Sequence, residues 1–375
     1  MMKNSSERKD VTSRELMKRV MKGEKAERIP SMPQTCHDTG VRVYDEDWIE
    51  GMRRCLEDPI LIHDYVIRLS EEIGCDGMRL FPLPKTAETV RKGDEVYQLD
   101  PDTDNVIGKC DLHGGGWIVP VPPPPVIETL DEARKAVRAR IFSDEQIDQI
   151  KRSRERVPDF FVASGPGGLS MDPYTAMRGR IKAYEDLFLQ PDFVQDVHEM
   201  ILEMAIENCE RLLKTGIDAF YMGDAASSAS LISPKHFEEF SLPAYQKFSK
   251  HFSGTDILIY LHVCGNSSPI LELMADSGMH CIEPLDSLAG VSVEDAKRRV
   301  GDRVVLMGGV HTLILADGTP EEVRKEAVRC CLEGGPYRYI LASADMVPPG
   351  TSLENLKAMT DVATNSQWRK QRSED

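Results

Sequence analysis

The stretch Leu261-His262-Val263-Cys264-Gly265-Asn266 closes an apolar run and sets an imidazole and a thiol two residues apart. Nineteen residues after Cys264, Glu283 follows a second apolar stretch, Met279–Ile282. Alternation along a strand sends His262 and Cys264 to the same side. The "GNSSP" that follows opens a helix, so the pair sits at a strand-to-helix mouth. A carboxylate at the end of a buried strand is costly unless it is paired, and a cation would pair it. Zinc accepts imidazole nitrogen, thiolate and carboxylate, and its catalytic sites keep one position open. The competing reading is packing, because cysteine is among the most buried residue types.

Other residues could take part. Asp224, in "MGDAASS", is placed to act as a general acid or to orient a substrate, or else to bond within its own turn. Cys36, His37 and Asp38, in "PQTCHDTG", follow the expected first strand; they would line a pocket, or cap a helix and fill a loop. His311, after "MGGV", would line the pocket or serve its loop. Cys330 and Cys331 are expected to pack inside a helix, and Met200 and Met204 to join the core. "GGGW", Gly114–Trp117, reads as a turn that brings Trp117 over a pocket.

The elements that must position these residues are regular from about residue 190. A helix ending at Gly216 leads to the strand "IDAFYMGDA". Helices opening at Ser233-Pro234, at Ser268-Pro269, after Ser292 and at Thr319-Pro320 are each followed by an apolar strand, and a last helix starts near Ser352. Cap residue, proline in the first turn and glycine near the end recur. Strand alternating with helix predicts a parallel α/β sheet. Asp224, His262, Glu283, His311 and Asp345 all fall at strand C-terminal ends. In an open sheet His262 and Asp345 would stand ~14 Å apart, at ~4.8 Å per strand. In a closed barrel they meet. If they act together, the fold is a (β/α)8 barrel. Thr12 with Glu15 reads as the capping box of an N-terminal helical extension. A hairpin is expected to be inserted at about Glu95–Pro120, with Pro120–Pro125 bridging it back. The expected organisation is a disordered tail over 1–11 and one barrel domain over 12–375.

The formal charge of −16 makes nucleic acid a poor partner. No apolar run approaches the ~18 residues of a membrane span. The polar start lacks the apolar core of a signal peptide. Nine scattered cysteines suit a reducing, cytoplasmic setting.

"LIYLHVCGNSSPILELMADSGMHCIEPLD", "DRVVLMGGVHTLILADGTPEEV" and "YILASADMVPPGTSLENLKAM" resemble the uroporphyrinogen decarboxylase superfamily, and most of all its zinc- and corrinoid-dependent methyltransferases. "YMGDAASSASLISPKHFEEFSLPAY" and "TSRELMKRVMKGEKAERIP" fit the same family, so the resemblance runs over most of residues 12–363. It implies a (β/α)8 barrel and zinc on His262 and Cys264. The distantly similar cobalamin-independent methionine synthases add a glutamate that matches Glu283. The family's further cysteine, in a "G-C-x-x-P-P" stretch, is replaced here: "ASADMVPPGT" puts Asp345 there, as a harder ligand or as none. The implied partners are a corrinoid protein carrying the cobamide, since no cobamide domain is expected in this chain, and a small methylated substrate; a homodimer is compatible.

The oxygen-rich set His262, Cys264, Glu283 and Asp345 leans towards a methyl ether, hence an O-demethylase. A methylcobamide:thiol methyltransferase is the other direction. A uroporphyrinogen decarboxylase would need the arginine loop of that enzyme, but "SMPQTCHDTG" has no arginine, and "MRLFPLPK" lacks the expected aspartate. A non-catalytic barrel is the remaining alternative.

Overall fold

The computed structural model describes residues 11–86, 88–112 and 116–365. Its first helix, Ser13–Met21, begins as the sequence predicts. Thr12 Oγ accepts the Glu15 N–H, and the Glu15 carboxylate accepts the Thr12 N–H at 3.1 Å. The apolar face of this helix, Leu16, Met17, Val20 and Met21, packs into a cluster of inward-facing strand residues. The expected tail lies outside the described residues apart from Val11, which packs against this cluster.

Eleven strands follow among the described residues. They are β1 Gly77–Arg79, β2 Thr89–Lys92, β3 Glu95–Leu99, β4 Val106–Asp111, β5 Trp117–Pro120, β6 Phe161–Ser164, β7 Ala219–Gly223, β8 Leu258–His262, β9 Cys281–Glu283, β10 Val305–Val310 and β11 Tyr339–Ser343. Seven form one parallel sheet in the order β1-β6-β7-β8-β9-β10-β11. Alternation divides their side chains. Phe161, Ala163, Ala219, Leu258, Tyr260, Cys281, Met307, Ile340 and Ala342 meet the first helix inside the curl. Val162, Phe220, Ile259, Leu261, Ile282, Leu306 and Leu341 face the surrounding helices.

The regular ladder therefore has seven strands, not eight. The eighth position is held by the residues around Ser31. Ser31 makes one parallel bridge to Leu341. The Met32 N–H donates to Leu341 O and the Leu341 N–H to Pro30 O, both at 2.9 Å; on the other side the Asp76 N–H donates to Ser31 O at 2.8 Å. Pro30 and Pro33 have no N–H to give, so this segment touches both edges without building a ladder.

The expected hairpin is larger than the sequence reading allowed. β2–β5 form a four-stranded antiparallel sheet that starts at Thr89. Lys92 pairs with Glu95 across Gly93-Asp94, with Gly93 at φ +62°. A two-residue turn with glycine recruits the preceding residues as a strand. The proline run after β5 is exposed and bridges back to the helix Leu130–Arg138.

Two buried aspartates clamp the closed end. Asp76 accepts from Ser13 Oγ at 2.7 Å, Arg28 Nη1 at 2.7 Å and the Ser31 N–H at 2.9 Å. Asp218 accepts from Arg14 Nε at 2.7 Å and the Val162 N–H at 3.1 Å. Asp76 thus ties the first helix and the bridging segment to β1. Asp76→Ala is expected to lower stability by about 3 kcal/mol, because it strands several donors at once. The urea midpoint measures this; a loss below about 1 kcal/mol would put the clamp in the class of surface pairs.

Candidate metal centre and its pocket

His262 continues the inward series Leu258, Tyr260, His262 on β8, and register sets it beside Glu283 on β9. Glu283 is 1% exposed. Its Oε1 stands 3.1 Å from His262 Nδ1, and its Oε2 accepts from Gln34 Nε2 at 3.1 Å. A carboxylate can only accept here, so His262 Nδ1 carries the proton and Nε2 is turned the other way. On that side Asp345 Oδ1 lies 4.0 Å from Nε2. The ligand atoms of His262, Cys264 and Asp345 all lie within 4.8 Å of one another. Burial disfavours the imidazolium, but Tyr221, Cys264 and Glu283 favour it and prevail, so His262 is held well above its ordinary pKa.

Local structure fixes each member of the trio. Cys264 starts a tight loop in which Gly265 has φ +86°, and a Cβ there would stand 3.0 Å from Ser228 Oγ and Ser230 Oγ. The Asn266 N–H donates to Ser230 Oγ at 2.8 Å, which pins the loop. Asp345 follows β11, and its Oδ1 accepts the Met346 N–H at 2.7 Å. One nitrogen, one sulfur and one oxygen donor at the strand mouths are a donor set that fits zinc. Glu283 stands behind the imidazole, the usual place of a carboxylate that orients a ligating histidine.

A cavity of about 330 Å³ adjoins the trio. Cys36, His37, Arg79, Phe81, Trp117, Tyr221 and Met346 are among its walls. Met346 follows Asp345 in sequence, and the Tyr221 ring lies 5.7 Å from that of His262. His37 packs on Trp117, ring centroids 4.0 Å apart. Both rings also line a second cavity of about 310 Å³, so the pair forms a partition. Burial, with the charges of His63 and Arg79, lowers the His37 pKa to about 3 and keeps the ring neutral. Cys36 precedes the helix His37–Tyr44, and its Sγ lies 3.0 Å from Met346 Sδ; burial pushes its thiol up to about 12. Gly114 and Gly115 of the expected turn lie outside the described residues.

Asp224 and His311 are used differently. Asp224 is buried, and its Oδ2 accepts from the Leu169 and Ser170 N–H groups, Ser170 Oγ and Tyr245 Oη, while Oδ1 accepts from the Asp172 N–H at 2.7 Å. Asp172 in turn accepts the Ala225 and Ala226 N–H groups. The two aspartates lace together the loops after β6 and β7. Burial, and then the charge of Asp224, raise Asp172 to about 6. His311 precedes the helix Thr312–Asp317 and is not one of the cavity walls. Cys330, Cys331 and Met204 are buried in the core, and Met200 packs against it.

Sequence reasoning passed over Gln34, Arg79, Asp172 and Tyr221. Arg79 left a signal, a charged residue inside the apolar "GMRLF". The others depend on cross-strand register.

Residues 115–366 match the family model described as uroporphyrinogen decarboxylase (URO-D). Methylcobamide:CoM methyltransferase MtaA of Methanosarcina barkeri (strain Fusaro) is 30% identical over 225 residues, 57% of this chain and 61% of that protein. A methylated-thiol–coenzyme M methyltransferase of Methanosarcina mazei is 33% identical over 144 residues, 38% of this chain and 36% of that protein. The chain thus spans about three-fifths of the first relative's length and about a third of the second's. A solved methyltransferase structure from Methanosarcina mazei superposes with a TM-score of 0.67 at 21% identity, covering 95% of this chain and 99% of that one. The shared fold is this curled parallel sheet with its surrounding helices.

Because its carboxylate is saturated by protein donors, Asp224 is expected to act on stability. Asp224→Ala should cost about 3 kcal/mol by stranding buried N–H and O–H groups. Chemical unfolding measures it; an unchanged midpoint would show that the two loops do not depend on this carboxylate.

Proposed function

The chain belongs to the uroporphyrinogen decarboxylase family, and on that premise we propose that it is a zinc-dependent methyltransferase passing a methyl group between a corrinoid protein and a small thiol. The observation that carries this reading is the convergence of His262, Cys264 and Asp345 within 4.8 Å beside a cavity. The sequence leaned towards a methyl ether because four donors looked oxygen-rich. With Glu283 turned to the imidazole, the set becomes one nitrogen, one sulfur and one oxygen, and that premise weakens. The names of the relatives, which act on coenzyme M and on a methylated thiol, favour the thiol.

In this reading His262 Nε2, Cys264 Sγ and an Asp345 oxygen hold the metal. Zinc there would supply Lewis acidity that lowers the pKa of a thiol. Glu283 accepts the Nδ1 proton of His262 and fixes the tautomer that leaves Nε2 free; Gln34 holds the other Glu283 oxygen and stops the carboxylate from turning. The loop hydrogen bond to Met346 positions Asp345. Phe81, Trp117 and Tyr221 give the pocket apolar walls that limit water around the reacting sulfur. A decarboxylase acting on a substrate with many carboxylates is not supported, because Arg79 is the one arginine among these walls.

Zinc per folded chain, measured by elemental analysis, tests the assignment. About one equivalent is expected, lost in Cys264→Ala with the unfolding midpoint kept, since ligands at a barrel mouth are not its core. Full zinc in that variant would remove the proposal. Glu283→Gln keeps the shape but loses the charge, and should weaken zinc about 10- to 100-fold. Asp345→Ala should loosen zinc and Asp345→Cys keep or tighten it, read by chelator competition. Unchanged affinity in Asp345→Ala would reduce Asp345 to a loop acceptor. Methyl transfer from methylcobalamin to small thiols, set against demethylation of methoxylated aromatics with cob(I)alamin as the methyl acceptor, decides between thiol and ether.

A further inference from the structure

Arg79 ends β1 with its side chain inside the curl of the sheet, 8% exposed, on the wall of the 330 Å³ cavity. A guanidinium offers five N–H donors. Its protein contacts are few. Nη1 lies 3.5 Å from Glu283 Oε1, and Cζ lies 5.1 Å from the centre of the Tyr221 ring. The first distance is too long for a hydrogen bond of useful strength. Glu283 is in any case engaged by His262 and Gln34.

The other buried arginines among the described residues are treated otherwise. Arg154, 5% exposed on its side chain, donates to the carbonyls of Gly216, Val157 and Pro158. Arg178, 4% exposed, is met by Asp186, by Glu128 and by the Ile127 carbonyl. Arg79 alone of the three has no acceptor at hydrogen-bond distance. Nearby, the Tyr260 hydroxyl, close enough to act on the Arg79 charge, is buried without a partner. A buried guanidinium whose one ion-pair partner, Glu283, lies beyond good hydrogen-bond distance keeps its N–H donors unused, and an anion entering the cavity would satisfy them.

The cavity suits a small molecule. Phe81, Pro82, Trp117 and Phe142 line it with apolar surface, and Tyr221 joins the Arg79 side to the His262 side. We propose that Arg79 is the specificity-determining residue of this pocket, binding the carboxylate or sulfonate of a small anionic thiol whose sulfur reaches the His262, Cys264 and Asp345 trio. The proposal rests on the thiol methyltransferase reading for the identity of the reacting end, whereas the anion end stands on Arg79 itself. The planar fork of arginine matches two oxygens of either group.

Calorimetric titration of the full chain separates the two. The probes are 3-mercaptopropionate and 2-mercaptoethanesulfonate, their sulfur-free counterparts propionate and ethanesulfonate, and neutral 2-mercaptoethanol. The anionic thiols are expected to bind about 10- to 100-fold more tightly than the neutral one, the advantage of hydrogen bonds to a charged group. Arg79→Lys should lose much of that ratio and Arg79→Ala nearly all of it, with little change for 2-mercaptoethanol. In methyl-transfer assays the same loss should appear in KM for the anionic thiols. Comparing the two acids tells a carboxylate site from a sulfonate site. A wild-type protein that does not prefer the anions, or an Arg79→Lys variant that keeps the full preference, overturns the proposal, even if Arg79→Ala fails to fold. Propionate or ethanesulfonate binding that depends on Arg79, without methylation of any thiol, would keep the anion site and overturn the thiol methyltransferase reading instead.

Discussion

A carboxylate buried to 1% exposure has to be answered from several sides, and Glu283 is answered from three. His262 reaches it from β8, Gln34 from the segment that fills the eighth position, and the charge of Arg79 lies close by on β1. These elements are far apart in sequence and share no ladder of their own except β8 with β9. Removing the curl of the sheet would leave Glu283 as an unpaired charge in an apolar interior, a state that proteins avoid at a cost of several kcal/mol. The electrostatic requirement at the mouth and the closure of the fold are therefore one constraint. The helix Ser13–Met21 satisfies the matching apolar requirement below, where the inward residues would otherwise surround a void.

Polar residues divide accordingly between holding and reacting. Asp76 and Asp218 bind the first helix and the bridging segment at the closed end. Asp224 lies at the open end, yet it belongs with them, because its oxygens are spent on donors of the loop that begins the helix Met171–Arg178. His262, Cys264 and Asp345 leave their ligand atoms facing one another instead. A side chain with its hydrogen-bonding capacity exhausted inside the protein is a poor candidate for chemistry, and one with capacity to spare is a good one.

The sequence made the alternation of β8 legible, and with it the common direction of His262 and Cys264, because a period of two needs only local residues. The cap residues Thr12, Ser233, Ser292 and Thr319 were legible for the same reason, and each accepts the expected backbone N–H. The position of Glu283 behind the imidazole was not legible. It follows from the pairing of His262 with Glu283 across two strands and from which imidazole nitrogen meets the carboxylate. The irregular eighth position was written in Pro30 and Pro33 but could be read only with both edges in place. The extra strand Thr89–Lys92 lay in the Gly93-Asp94 turn, whose effect depends on a partner strand. Arg79 was hidden by a different cause. A charged residue in an apolar strand looks like an interruption until the cavity it faces is known.

The charge of the whole chain and the charge of the pocket point in opposite directions. At −16 the protein repels anions at long range. In physiological salt that field is screened beyond about 8 Å, so it sets neither the affinity nor the orientation of a small ligand once inside. Arg79 acts where screening fails, in a buried wall with few competing acceptors. An anionic thiol would meet no steering on approach and strong attraction on arrival, so the proposed selectivity resides in how long the ligand stays more than in how fast it comes. Among the described residues Glu283 is the one carboxylate within 4 Å of Arg79, and it is already held by His262 and Gln34.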